Sequence, residues 1–231
     1  MHTLLLLLSW TALAVGIAGS AAVVADNLIL GYRQPVKLME LVWPVTALYI
    51  GPAAVVAYWK WGRPRSHQWR QRHGPPPKRP RQADFLIQLC HDGSHCALGT
   101  ILAGAAVFAI GIDTSGGKRW VEYTSGYFMA VAIGVVFRYS AEAQRRRRRI
   151  WAAIKAFARA DLPGVSAFEL TLFIWLALAE HAIFPAAPLH SIPVYWFFTQ
   201  IGLIAGFIAA WPTNLWLAHH RIKAEPPDAF E

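Results

Sequence analysis

The sequence predicts an all-α protein, a polytopic membrane helix bundle of about six transmembrane spans that forms a single domain over residues 1–231. Three observations lead to this fold class. Of the 231 residues, 55% are hydrophobic and only 15% are charged, whereas about a quarter of the residues in a soluble domain are charged. Six stretches stay apolar for about 20 residues, the length of a helix that crosses a bilayer. Lysine and arginine cluster between these stretches.

The six predicted spans follow one another along the chain. The first carries no charge, and we expect it to be retained rather than cleaved as a signal peptide, because it is longer than the apolar region of such peptides. Pro44 and the pair Gly51-Pro52 should kink the second span. A polar patch lies near the start of the third. The predicted spans are residues 3–25, 39–59, 89–112, 120–140, 166–185 and 194–217.

The distribution of basic residues predicts the orientation. Segments 60–82 and 138–159 each hold eight lysines and arginines and the tail after the sixth span adds two, whereas the connections on the other side hold four. Short cytoplasmic loops are enriched in these residues. We therefore expect both termini and the basic loops 60–82 and 141–165 to be cytoplasmic, in a multi-pass protein of a bacterial inner membrane.

The second basic loop contains a helical pattern. Apolar residues recur at helical spacing from Ile150 until Pro163-Gly164 ends the pattern. This predicts an amphipathic helix on the membrane, or an extension of the fourth span. Anionic lipid headgroups account for the charge, at about 1 kcal/mol per arginine, so we expect no nucleic-acid partner. The arginines assigned to these headgroups are Arg145, Arg146, Arg147, Arg148 and Arg149.

The polar patch of the third span holds the densest cluster of metal-capable side chains. In a helix, His91 and His95 lie on one face, and Asp92 and Cys96 form a second pair rotated by about 100°. Imidazole, thiolate and carboxylate together suit copper, zinc or iron. A single helix rarely completes a coordination sphere, so ligands from another span or a second copy are needed. The alternative is a polar helix start that stays hydrated at the cytoplasmic interface.

A second set of ionisable residues is predicted nearer the outer side. Glu180 and His181 lie late in the fifth span, and Glu40 lies early in the second. Ionisable groups inside a membrane tend to be paired or functional, because each costs at least about 2.5 kcal/mol. A Glu40–His181 or Glu180–His181 pair could relay protons or bind a cation. Alternatively, these groups are close enough to the interface to remain hydrated.

Blocks of residues along nearly the whole chain resemble one bacterial membrane family. These blocks are Arg33–Pro35, Leu41–Pro52, Val136–Tyr139, Arg159–Asp161, Ser166–Glu169, Tyr195–Phe207, Trp211–Leu217 and Ile222–Lys223. The chain is similar here to the family catalogued as domain of unknown function 4396. That family brings no established reaction.

The resemblance extends to the polar patch, with departures. The family typically shows His-Cys-Gly-Ala-Gly-Cys followed by Thr-Leu-Gly-Asp at the third-span entrance. Here His91 and Cys96 match, Asp92 replaces the first cysteine and Thr100 replaces the aspartate. The resemblance implies a shared transition-metal site around the third span. Either Asp92 and His95 compensate for the missing thiol in this chain, or the site has been lost.

Three functions follow as hypotheses. The first is transition-metal binding at His91, Asp92, His95 and Cys96 for metal handling or a membrane redox system. The second is a transporter of a small solute or ion with the ionisable gates described above. The third is a scaffold, in a homo-oligomer or a larger membrane complex. An enzyme is the least supported interpretation, because no nucleophile–base arrangement is visible.

Overall fold

The computed structural model describes residues 2–112, 119–143, 150–183 and 192–220, and these ranges contain helices and no strand. The last turn of α8 continues as a π-helical turn, Ala179–Ile183, and α3 is followed by another, Tyr58–Gly62. The helices are α1 (His2–Leu28), α2 (Met39–Ile50), α3 (Pro52–Ala57), α4 (His67–His73), α5 (Arg81–Ile110), α6 (Trp120–Ala143), α7 (Ile150–Ala160), α8 (Leu162–Leu178) and α9 (Ile192–His219).

Five of these helices are long and apolar enough to cross a membrane: α1, α5, α6, α8 with its π-helical turn, and α9. The most extensive packing joins α5 to α6 and α8 to α9, and α1 packs on α2 and α9. The predicted all-α helix bundle is confirmed, and the protein is a multi-pass membrane protein.

The segment predicted as the second span folds back on itself. Gly51 has a φ of 71°, and Pro52 begins α3 directly after it. The Tyr58 ring then packs against Trp43 of α2, with 5.7 Å between ring centroids. The Tyr58 hydroxyl also donates to Oδ2 of Asp26, near the end of α1, over 2.7 Å. Together, α2, α3 and the π-helical turn form a hairpin whose two ends lie at the same end of the bundle.

This hairpin corrects the prediction of a second crossing over residues 39–59. A Cβ built on Gly51 would lie 3.8 Å from Cγ1 of Val15, which is about halfway along α1. The tip of the hairpin therefore reaches the middle of the bundle and returns. A hydropathy window cannot separate a kinked helix from a reversed one, because both are continuous apolar stretches.

Packing around the tip satisfies the backbone at the reversal. Pro52 has no N–H, so the carbonyl of Leu48 loses its helical partner four residues on. The side-chain Nε2 of Gln200 in α9 donates to this carbonyl over 3.1 Å. Gly16 of α1 allows the close approach, because a Cβ there would collide with the same oxygen. Irregular backbone is tolerated at membrane depth only where protein or a water-filled cavity surrounds it.

The two ends of the bundle differ in charge. We call the end that holds both ends of the hairpin the basic end. Residue 2 lies at the opposite end of the bundle, whereas residue 220 lies at the basic end. Among the described lysines and arginines, Arg119 alone lies at the opposite end. The described lysines and arginines at the basic end are Arg33, Lys37, Lys60, Arg63, Arg65, Arg70, Arg72, Lys78, Arg79, Arg81, Arg138, Lys155 and Arg159.

The amphipathic helix predicted from Ile150 is present as α7. Its buried face, which includes Phe157, packs on the bundle close to Gly134 of α6. Asp161 after α7 accepts a hydrogen bond from Nη1 of Arg138 over 3.0 Å. Pro163 lies in the first turn of α8, where its missing N–H costs little. The arginine run 145–149 lies outside the described residues.

The five-helix arrangement makes a prediction about topology. Because cytoplasmic segments are rich in lysine and arginine, we expect the basic end to face the cytoplasm and the N-terminus to lie on the other side. Epitope tags before Met1 and after Glu231 test this with protease added to intact spheroplasts. We expect cleavage of the N-terminal tag alone. Protection of both tags until lysis would restore the six-span prediction with two cytoplasmic termini.

Candidate functional site

The polar patch of the predicted third span lies well inside α5. This helix begins at Arg81, about ten residues before His91, and not at residue 89 as predicted. Asp92, His95 and Cys96 are 5%, 1% and 1% exposed as whole residues. These side chains are therefore enclosed by protein, unlike those of a hydrated helix start.

Two close pairs form within the patch, and both join neighbours in sequence. Nδ1 of His91 lies 3.5 Å from Oδ1 of Asp92. Nδ1 of His95 lies 3.8 Å from Sγ of Cys96. The rings of the two histidines are 6.4 Å apart between centroids. Within the part of the chain that the structure describes, no three His, Cys, Asp or Glu side chains are arranged to hold a metal ion. The four-ligand site stays a prediction.

Aromatic side chains enclose His95 on the side facing α6 and α7. The rings of Phe137 and Phe157 each lie 6.0 Å from the His95 ring between centroids. A Cβ on Gly134 would lie 3.2 Å from Cε1 of His95, so the missing side chain lets α6 approach. The amphipathic helix α7 thus covers part of the patch instead of lying apart from the bundle.

Glu169 of α8 is a buried carboxyl group that the sequence interpretation did not select. Its side chain is 0% exposed, and neither carboxyl oxygen has a hydrogen bond of good geometry from a described residue. It interacts with the Cys96 thiol across the contact between α5 and α8. Its position as an acidic residue inside an apolar span was the signal that could have identified it.

The hairpin supplies a second polar wall beside α5. Oγ1 of Thr46 lies 3.2 Å from Oγ of Ser94, which also donates to the carbonyl of Cys90 over 2.7 Å. The Tyr49 hydroxyl is buried near Thr46, without a hydrogen bond of good geometry to any described residue. It rests against Gly93, where a Cβ would collide with it. We call the following residues the polar core: Thr46, Tyr49, Asp92, Ser94, His95, Cys96 and Glu169.

The predicted outer set of ionisable residues is divided between the two ends of the bundle. Glu40 begins the hairpin at the basic end, where its Oε1 lies 2.7 Å from Nε of Arg33 and accepts the backbone N–H of Gln34. Glu180 and His181 lie at the opposite end. Because the hairpin does not cross the bundle, Glu40 and His181 do not meet.

At the opposite end, Glu180 is part of a paired cluster. Its Oε2 lies 2.7 Å from Nε of Arg119, and Nη1 of Arg119 lies 4.0 Å from Oε2 of Glu122. The Tyr195 hydroxyl donates to Glu122. Burial alone would lower the pKa of Arg119, but the hydrogen bond with Glu180 and the nearby Glu180, Tyr123 and Glu122 together outweigh burial and raise that pKa. The His181 ring is exposed and contacts a carbonyl of its own helix.

The fold and the polar core define a class: a multi-pass α-helical membrane protein with ionisable groups enclosed by its helices. Residues 83–223 match the family model described as Domain of unknown function (DUF4396), so the chain belongs to that family. The match begins inside α5 and includes Glu169, whereas the hairpin precedes it. No curated protein and no solved structure matches the chain.

The contact between Tyr49 and Gly93 makes a testable prediction. We expect Gly93→Ala to lower the melting temperature in detergent, because the added methyl group collides with the Tyr49 hydroxyl. Tyr49→Phe in the same chain should restore part of the loss, since it removes the atom in the collision. Gly126→Ala is the control, because its nearest neighbour lies 3.9 Å away. Equal melting temperatures for Gly93→Ala and Gly126→Ala would contradict this packing.

Proposed function

We propose that this protein binds a transition-metal ion inside the membrane, with His95, Cys96 and Glu169 as ligands, and serves metal handling in an inner membrane. The supporting observation is the enclosed Glu169 carboxyl group beside the Cys96 thiol. Glu169 comes from α8, so it is the ligand from another span that a single helix cannot supply.

The electrostatics of Glu169 favour a bound cation. An ionised carboxylate in the middle of a membrane costs at least about 2.5–3.5 kcal/mol. In buried sites this cost is offset by an opposite charge, a metal ion or a proton. No described residue forms an ion pair with Glu169. A cation that enters the polar core would supply the missing charge.

Donor type and spacing narrow the class of cation. Zinc binds cysteine sulfur at about 2.3 Å and histidine nitrogen at about 2.0 Å in tetrahedral sites, which separates the two donors by roughly 3.5 Å. The observed separation of 3.8 Å between His95 and Cys96 is close to this value. Thiolate and imidazole donors disfavour magnesium and calcium. Glu169 has to move towards His95 before the three proposed ligands can contact one metal ion.

His91 and Asp92 have a different role in this proposal. They lie about one turn nearer the basic end and interact with each other, and Oδ1 of Asp92 also accepts a hydrogen bond from Gln88 over 3.2 Å. We assign them to the approach towards the metal rather than to its ligands. The proposed ligands therefore keep His95 and Cys96 from the four residues predicted by sequence, and Glu169 replaces His91 and Asp92.

Metal content tests the proposal. We expect protein purified after zinc, iron or copper(I) loading to hold about one ion per chain, and Cys96→Ser and Glu169→Gln to lose at least about tenfold in affinity. Cys90→Ser is the matched control, because Cys90 is also a buried cysteine of α5. Metal-free protein, or equal binding in Glu169→Gln and the unmodified protein, would refute metal binding at Glu169.

A second candidate is transport of protons or a small cation through the same core. The observation that favours it is the half-depth hairpin, because a reversal at membrane depth occurs where protein or a water-filled cavity encloses it. Glu169 would then carry the ion, instead of the predicted gates Glu40, Glu180 and His181.

Liposome flux measurements separate the two candidates. For a transporter, we expect Glu169→Gln to abolish ion flux, since the exchangeable charge is removed. Glu180→Gln should reduce flux much less, because Glu180 is held by Arg119. Absence of flux in the unmodified protein would eliminate this candidate while leaving metal binding untouched.

A further inference from the structure

A cleft opens at the basic end, between the start of the hairpin, the turn that follows it and the start of α5. Its empty volume, which includes the open solvent at its mouth, is about 290 Å³. One part of its wall is basic, and the rest is apolar or aromatic. The residues that line it include Met39, Trp43, Trp61, Arg65, Arg79 and Ile87.

Two arginines give the cleft a positive wall. The Arg79 side chain is 10% exposed, and its Nε lies 2.8 Å from Oδ1 of Asp84. No other described residue forms an ion pair with Arg79. Burial lowers the pKa of this guanidinium, and the neighbouring Arg65 lowers it further, whereas Asp84 opposes the shift. A largely buried guanidinium that has one carboxylate partner and a second arginine beside it can bind an anion through charge-assisted hydrogen bonds.

A buried donor without an acceptor lies in the same wall. Trp43 is 1% exposed, and its Nε1 has no hydrogen-bond partner among the described residues. This N–H lies against Gly62, where a Cβ would come within 2.7 Å of it. Both residues line the cleft. Buried indole N–H groups usually have an acceptor, so an acceptor oxygen that displaces the contact with Gly62 would satisfy this donor.

The apolar part of the cleft indicates what the anion is attached to. Met39 and Ile87 line it beside the arginines, and Trp61 lies on its edge, half-buried. Tryptophan at a helix end favours the level of lipid headgroups. Basic pockets between helices on the cytoplasmic side are binding sites for phospholipid headgroups.

We propose that this cleft binds the phosphate of an anionic phospholipid, with Arg65 and Arg79 on the phosphate, the Trp43 N–H as an additional donor, and Met39 and Ile87 along the glycerol and acyl chain. The site differs from the arginine run 145–149 assigned to lipid by sequence. It is also independent of the polar core, so neither proposal depends on the other.

Lipid-dependent thermal stability of the full chain in detergent tests the site. We expect phosphatidylglycerol to raise the melting temperature more than phosphatidylcholine does, and Arg79→Gln to weaken the apparent affinity for phosphatidylglycerol by about tenfold. Trp43→Phe keeps a ring at the position and should weaken binding by a smaller factor, which covers the case that Arg79→Gln fails to fold. Arg70→Gln is the control, because Arg70 is exposed at the same end and outside the cleft.

Two outcomes would overturn the proposal. Equal weakening by Arg70→Gln and Arg79→Gln would mean that the response to anionic lipid is diffuse surface charge. Stabilisation by inorganic phosphate that phosphatidylglycerol does not reproduce would assign the cleft to a free anion instead of a lipid. Loss of the lipid response in Trp43→Phe and Arg79→Gln, with Arg70→Gln unchanged, supports the headgroup site.

Discussion

The chain reversal at Gly51 leaves the Leu48 carbonyl without a helical donor in the middle of the bundle, and the rest of the architecture depends on how this group is satisfied. Pro52 cannot donate to it, and Gln200 of α9 donates instead. A Cβ on Gly16 of α1 would collide with the same oxygen and would lie 3.1 Å from Nε2 of Gln200, so the glycine leaves room for this hydrogen bond. A backbone group unsatisfied in lipid costs several kcal/mol. Three distant segments, α1, the hairpin and α9, therefore meet at one carbonyl, and the tip of the hairpin lies in the middle of the bundle.

The position of the hairpin determines where both candidate binding sites form. Its inner part brings Tyr49 against α5 and completes the wall of the polar core. Its outer part places Trp43 and the turn at Gly62 beside the start of α5, where the cleft opens. A straight second span would have carried residues 58–65 to the other end of the bundle. Asp26 could then not have accepted the hydrogen bond from Tyr58, and the two arginines of the cleft would have been separated from Trp43.

Much of the fold could be predicted from sequence, because apolar length and helical periodicity are local properties. These properties identified the five long helices, and they placed the start of α7 at Ile150. The patch on α5 was likewise found from its spacing. The reversal at Gly51 was not found from the sequence, because a kinked helix and a reversed chain have the same amino-acid composition. Glu169 was missed as a site residue because its contact with Cys96 depends on the register of α8 against α5, and a single sequence does not contain that register.

The distribution of paired charges explains why the polar core is the best candidate for cation chemistry. At the basic end, Asp26 is paired with Arg63 and Asp84 with Arg79. At the opposite end Arg119 neutralises Glu180, and at the basic end Arg33 is paired with Glu40, so both carboxylates predicted as gates already have partners. Glu169 lies between these ends and has no arginine, lysine or histidine in an ion pair with it among the described residues. The charges at both ends have counter-ions, whereas an unpaired ionised carboxylate in the middle of the bundle costs free energy. Ionisable groups inside a membrane tend to be functional or paired, and in the proposed metal site Cys96 and His95 are the donors assigned beside Glu169.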